Sequence, residues 1–150
     1  AEMRIMLLEL RPAALEEAQI DYLLRQLGES ITGRSRVPVS VTVEGSCALP
    51  VEVKISLYRI AQESLNNMVK HAQAKQAIVN LHCEPVRVVL RVTDDGDGFD
   101  PASVRPDSLG LGIMRERARG IGAQLSIASA LGHGTSVEAI WSPPPAAPPL

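Results

Sequence analysis

The sequence is short of most features that would assign a function at a glance. Its formal net charge is only −2, with 15 basic and 17 acidic residues mixed along the chain. It therefore carries no one-sided charge of the kind that tracks a nucleic-acid backbone, and direct nucleic-acid binding is not expected. Cys47 and Cys83 are the only cysteines and stand in no CxxC or Cys/His cluster. That spacing gives neither a zinc pattern nor a disulfide framework, so Cys83 reads as a small core residue of a protein kept in a reducing cytoplasm. No apolar run approaches the roughly 20 residues of a membrane span, and the start AEMRIMLLELRP lacks a signal-peptide layout. The chain itself is not expected to be membrane-embedded. GxxxxGK[ST] and GxGxxG are missing too, which removes P-loop and dinucleotide folds built on those motifs.

What is present suffices for one domain: 150 residues, 45% of them hydrophobic, can bury a core without staples. Helical spacing runs through residues 2–10 and 15–28, broken at Arg11-Pro12, where proline removes a backbone donor. This opening has no N-cap signal, as a piece of a longer protein would. A polar connector from Gly33 to Arg36 precedes a strand over 37–44, in which Val39, Val41 and Val43 alternate with polar residues. Pro50 is suited to begin a helix over 51–72, with an apolar face of Leu57, Ala61, Leu65, Met68 and Ala72. Strands follow at 76–83 and 86–94, turning at Glu84-Pro85. After a glycine-rich loop come a helix over 111–121 and strands over 124–129 and 135–141, where Trp141 ends in the core. The tail SPPPAAPPL can neither pair nor coil and reads as disordered. The order predicts an α+β two-layer sandwich, a mixed sheet with helices on one face.

Three stretches carry chemistry. On the long helix, Glu63, Asn67, Lys70 and His71 fall on one face, opposite the apolar stripe. A solvated surface is the plain reading. The costly pair Asn66-Asn67 favours another, because a carboxamide oxygen is a hard ligand suited to Mg²⁺, with Lys70 and His71 one turn further on, within reach of phosphates. In VRVVLRVTDDGDGF, Val86, Val88, Leu90, Val92 and Asp94 alternate along one strand side, so Asp94 ends an inward stripe. A carboxylate there either sits in a ligand-free Asp-Gly turn or accepts from the exocyclic amine of adenine in an apolar pocket, with Gly96 and Gly98 letting the backbone approach the base. In SLGLGIMRERARGIGA, Gly110 and Gly112 precede a helix whose first amides suit phosphate oxygens, although an ordinary loop–helix junction looks the same. Near the end, GHGT is either a glycine hairpin or a turn that presents the Thr135 hydroxyl to the ligand.

Taken in order, these segments resemble the ATP-binding domain of sensor histidine kinases, in the superfamily with gyrase, the heat-shock chaperone and mismatch-repair proteins that shares the Bergerat fold. YRIAQESLNNMVKHAQA is similar to the N box, DDGDGF to the G1 box and LGLGIMRERA to the G2 box, over residues 37–141. The resemblance implies ATP and Mg²⁺ as cofactors. Asn67 matches the metal ligand, Asp94 the acid that binds the adenine amine, and Glu63 the catalytic acid that positions the attacking group. Lys70 and His71 match positions near the phosphates, Gly96, Gly98, Gly110 and Gly112 the lid hinges, and Leu111 and Thr135 complete the nucleotide set. Residues 1–30 are similar to the end of the dimerisation and phosphoacceptor hairpin and its linker in the nitrate/nitrite-sensor subfamily. That implies a homodimeric, membrane-anchored full-length kinase with its catalytic part in the cytoplasm, feeding a LuxR-type response regulator in a two-component phosphorelay. The acceptor histidine is not expected in this chain. His71, His82 and His133 precede Ala72, Cys83 and Gly134, where the family has an acid or arginine, and the lid between Phe99 and Leu109 is short. A gyrase-like or chaperone-like ATPase and a nucleotide-binding module without turnover are the rivals.

Overall fold

The structure is a computed structural model that describes residues 12–105 and 110–144. The expected helix over 2–10, the middle of the lid at 106–109 and the last six residues of the tail lie outside the described residues, as does the Ala72 side chain. Helix α1 spans Pro12–Glu17 and α2 Ile20–Ser35; strand β1 is Val39–Gly45, and helix α3 is Val51–Asn67, continued by a π-helical turn over Met68–Ala72. Strands β2 (Ala77–Cys83) and β3 (Val88–Asp94), helix α4 (Leu111–Gly120), and strands β4 (Gln124–Ser129) and β5 (Thr135–Trp141) complete the order.

Two boundaries depart from expectation. Pro12 begins α1, where a first-turn proline gives up no hydrogen bond, and the helical piece expected before it lies outside the described residues. An unexpected break falls at Ala18 and Gln19, and α2 then runs through the expected connector to Ser35. Side chains fix its exit. Thr32 Oγ1 donates to the Gly28 carbonyl at 2.8 Å and accepts from the Val39 amide at 3.0 Å, while Ser35 Oγ bridges the Ile31 carbonyl and the Val37 amide.

The sheet has the order β1-β2-β3-β5-β4. β1 lies parallel to β2, as strands joined by a helical crossover must when the helix returns the chain to the same end. All other pairs are antiparallel. Alternation places Val79, Leu81, Leu90, Val92, Val137, Ala139 and Trp141 on the face that packs under the helices. Leu23, Leu24, Leu57, Ile60 and Leu65 close the core from above. Val86, expected on the inward stripe of β3, is instead 74% exposed. It sits in the turn, where the Glu84 amide donates to the Arg87 carbonyl at 2.8 Å, and the strand begins only at Val88.

Helix α3 is more central than an amphipathic surface helix. Lys54, Ser56, Gln62 and Ser64 are buried along with its apolar stripe, because α2, α1 and α4 cover it from different sides. Its polar face is therefore only partly solvated: Glu63 and Asn67 are half-buried, and Lys70 and His71 are exposed. Arg25, on α2, donates to the Val41 carbonyl of β1 at 3.2 Å. The cysteines correct the sequence reading as well. Cys47 and Cys83 form a disulfide, with Cα atoms 5.4 Å apart. Parallel pairing sets Gly45 opposite Cys83, so a cysteine two residues beyond β1 reaches back to the end of β2, a proximity that sequence spacing does not express. Cys83 is nonetheless buried, as expected.

Candidate functional site

The C-terminal end of β3 and the last turns of α3 open onto one cavity of about 240 Å³. Its apolar walls come from Met68, Val92, Phe99, Val104, Leu111, Met114, Ile127 and Val137, and its polar groups from Ser64, Asn67, His71, Asp94 and Thr135. An apolar slot with a few convergent polar groups is the usual form of a small-molecule site. The register explains the meeting: Asp94 pairs with Ala77 on one side and Thr135 on the other, which sets both polar residues at the end of adjacent central strands.

Asp94 is half-buried, and burial pushes its carboxyl above the ordinary value. The Gly96 amide, donating to Oδ1 at 2.9 Å, pulls the other way, and the neighbouring Asp95 charge pushes it up again. Burial prevails because backbone hydrogen bonds from Gly96 and Thr135 do not replace the lost hydration of a charge. Asp95 has the opposite character. The backbone amides of Gln76 and Lys75, at 3.0 and 2.8 Å from its Oδ1, hold this exposed carboxyl below its ordinary value. Consecutive acids thus divide the work: Asp95 ties the segment after α3 to the end of β3, and Asp94 turns its carboxylate to the cavity.

The glycine-rich run beyond β3 is fastened to the β4–β5 hairpin. The Phe99 amide donates to Ser129 Oγ at 2.8 Å, and the Gly132 amide to the Asp97 carbonyl at 2.7 Å. Ser129 Oγ also meets the Gly134 carbonyl at 3.1 Å and Thr135 Oγ1 at 2.9 Å. Gly98, with φ +67°, is required here, since a Cβ would strike the carbonyls of Ala130 and Gly134. Gly110 also has φ +67°, and a Cβ on it would meet the Glu63 carboxylate. The far end of the lid is thereby seated on the helix that carries Asn67.

Of the residues singled out in the sequence, Asn67, His71, Asp94, Gly98, Leu111 and Thr135 line the cavity together. Gly96 is spent on the Asp94 turn, Glu63 and Gly110 touch each other, Lys70 is exposed within the π turn, and Gly112 lies in the first turn of α4. Asn66, the other half of the costly pair, accepts from Arg34 of α2 at 3.1 Å and so serves the helix contact. Sequence reasoning missed Ser64, Phe99, Met114 and Ser129. Met114 falls three residues after Leu111 on α4, a helical spacing that signals a shared face, whereas nothing local in ASA marks Ser129 as a bracket. Among the described residues, no three His, Cys, Asp or Glu side chains are grouped to hold a metal ion. The Asn67 carboxamide at the cavity wall fits an ion that takes most of its ligands from phosphate and water, as Mg²⁺ does.

Comparison with known proteins places this geometry. Residues 52–146 match the model of the histidine kinase-, DNA gyrase B- and HSP90-like ATPases. The sensor histidine kinase LiaS of Bacillus subtilis is 34% identical over 137 residues, covering 91% of this chain and 38% of that protein. The sensor protein VraS of Staphylococcus aureus is 34% identical over 138 residues, covering 91% and 39%. The chain thus spans about two fifths of the length of the curated relatives it matches. The histidine kinase domain of the Erythrobacter litoralis EL346 blue-light activated kinase superposes with a TM-score of 0.63 at 26% identity, over 81% of this chain and 59% of that one. The two-layer fold is the one expected from the sequence, and this chain belongs to the family of histidine kinase-, DNA gyrase B- and HSP90-like ATPases.

Proposed function

We propose that this chain is the ATP- and Mg²⁺-binding catalytic part of a sensor histidine kinase and passes the γ-phosphoryl group to a histidine outside it. The observation that carries this is the partly desolvated Asp94 carboxylate at an apolar cavity shared with Asn67 and His71. Adenine fills the slot between Met68, Val92 and Ile127 and donates its exocyclic amine to Asp94. The triphosphate then runs toward the end of α3, where His71 and Lys70 meet it, and the amides at the start of α4, near Gly110, Leu111 and Gly112, receive its oxygens. Asn67 would hold Mg²⁺, which when bound offsets phosphate charge. Gly96 and Gly98 fix the near end of the lid and Thr135 the floor.

In the transfer, a ring nitrogen of the acceptor imidazole forms a bond to the γ-phosphorus as the bond to the β–γ bridging oxygen breaks, leaving ADP. The protein contributes alignment and charge compensation more than covalent chemistry. Glu63, held half-buried beside Gly110, positions the incoming ring. The acceptor belongs to the dimerisation hairpin of the same kinase, of which residues 1–30 are the end and linker. Residues 37–141 are the catalytic domain. His82 is unsuited to accept: it lies on the outer sheet face between Glu44 and Glu84, at 3.1 and 3.0 Å. The full-length protein is a membrane-anchored dimer working in the cytoplasm; among the described residues no helix is long and apolar enough to cross a membrane. The phosphoryl group passes on to a response regulator, of the LuxR type by the likeness of MLLELRPAALEEAQIDYLLRQL to nitrate/nitrite sensors.

The test is γ-labelled ATP given to this chain with and without a separately supplied acceptor hairpin. Acid-labile phosphohistidine on the hairpin, and none on this chain alone, is expected. Free phosphate instead would make the chain an ATPase, and absence of both a binding module. Stable label lost on substituting His71, His82 or His133 would overturn the acceptor-less reading.

A further inference from the structure

We propose that Cys47 and Cys83 are a reversible thiol–disulfide modification site whose oxidation stiffens the joint through which α1 and α2 dock on the catalytic domain. Their Cα separation of 5.4 Å lies within the range a disulfide spans without moving the backbone. The two differ in access. Cys83 is buried at the end of β2, whereas Cys47 is half-buried in the connector between β1 and α3, whose residues Ser46 and Ala48 are exposed.

That connector is one wall of a second cavity, of about 290 Å³, whose opposite wall is the α1–α2 break at Glu17–Ile20. Between the walls lies Lys54, only 8% exposed, donating from Nζ to the Glu16 carbonyl at 2.5 Å and the Ala18 carbonyl at 2.8 Å. A buried ammonium bound to two main-chain carbonyls fixes the end of α1 to the first turn of α3, and Leu49 of the connector packs on the same core. Fastening Cys47 to β2 therefore immobilises the wall against which this joint rests.

The inference of reversibility rests on the proposed function, because ATP-dependent signalling places the domain in the cytosol, where disulfides are transient and regulatory rather than permanent. The oxidant is a low-molecular-weight disulfide. The Cys47 thiolate attacks one of its sulfurs, giving a mixed disulfide and releasing one thiol. The Cys83 thiolate then attacks Cys47 Sγ, forming the protein disulfide and releasing the second thiol. Two protein thiols and one small disulfide become one protein disulfide and two small thiols.

The whole chain would be equilibrated with oxidised glutathione, then with dithiothreitol, while free thiols, intact mass, melting temperature, amide exchange and ATP affinity are followed. Oxidation is expected to take two thiols to none with a loss of two hydrogens and no retained adduct. It should raise the melting temperature by roughly 10 °C for a closed loop of this length. Amides of residues 15–20 should exchange more slowly, and dithiothreitol should reverse every change in the folded protein. Cys47→Ser should lose both the stabilisation and the slowed exchange. A persistent glutathione adduct, thiols untouched by oxidant, a disulfide that opens only on unfolding, or identical exchange in both states would each overturn the proposal. Reversible cycling with slowed exchange in a chain that binds no ATP supports the pair and refutes the nucleotide reading instead.

Discussion

Replacing Asp94 by Asn separates the two things this carboxylate does. The substitution keeps shape, and the amide oxygen can still accept from the Gly96 amide 2.9 Å away. That orientation points the NH₂ group at the cavity, where in the proposed complex the adenine amine also donates. Binding then loses a hydrogen bond to a charged acceptor and meets donor with donor, a cost of about 1–3 kcal/mol. By calorimetry this is a rise in Kd of roughly 5- to 150-fold. The effect on the empty protein has the opposite sign. Because burial raises the Asp94 carboxyl above its ordinary value, the folded state holds this proton more tightly than the unfolded chain does. Its ionisation therefore subtracts stability as pH rises through that window, and the subtraction is complete above it. Asp94→Asn removes the penalty, so at neutral pH the variant without ligand should melt no lower than the parent. ATP affinity of the parent should fall as pH drops through the raised pKa and the adenine acceptor is protonated, a dependence the variant lacks. Equal affinity for the two proteins, or a variant that binds normally but melts well below the parent, would refute the adenine role and make Asp94 a folding residue.

Two other substitutions probe neighbouring features. Asn67→Ala should abolish the Mg²⁺ dependence of nucleotide affinity while leaving the melting temperature without ligand nearly unchanged; retained Mg²⁺ dependence in a titration would dismiss the ligand role. Lys54→Ala should destabilise the fold by about 2–4 kcal/mol in denaturant titrations, since two carbonyls lose their shared donor inside the joint, and a loss below half a kilocalorie would show that water replaces it.

The sheet and the long helix were readable from the sequence because their signals are local. Val39, Val41 and Val43 alternate, Leu57, Ala61 and Leu65 recur at helical spacing, and each pattern settles its element to within a few residues. The cavity walls were readable only where a strand's alternation continues to its last residue, as it does from Val88 to Asp94. Three features needed the third dimension. The disulfide depends on β1 lying parallel and next to β2, a fact of topology that no spacing between Cys47 and Cys83 encodes. The burial of Lys54, Ser56, Gln62 and Ser64 on α3 depends on three other helices arriving around it. The fastening of the glycine-rich run by Ser129 joins residues 30 apart through one hydroxyl in an ordinary-looking strand end. Gly33 and Ser35 suggest a connector, yet helix α2 continues to Ser35. The hydroxyls of Thr32 and Ser35 outweigh that propensity by satisfying the backbone at the helix exit.

The contact between Arg25 and the Val41 carbonyl bears on how copies of the domain meet. β1 ends the sheet on one side, and an unpaired strand rim invites another chain to add itself by main-chain hydrogen bonds. The guanidinium occupies the carbonyl such a newcomer would need at Val41, and the Val39 amide on the same rim is already given to Thr32 Oγ1. This border of the sheet is closed to strand addition at its centre, so two copies of this domain can come close together without their sheets fusing across β1.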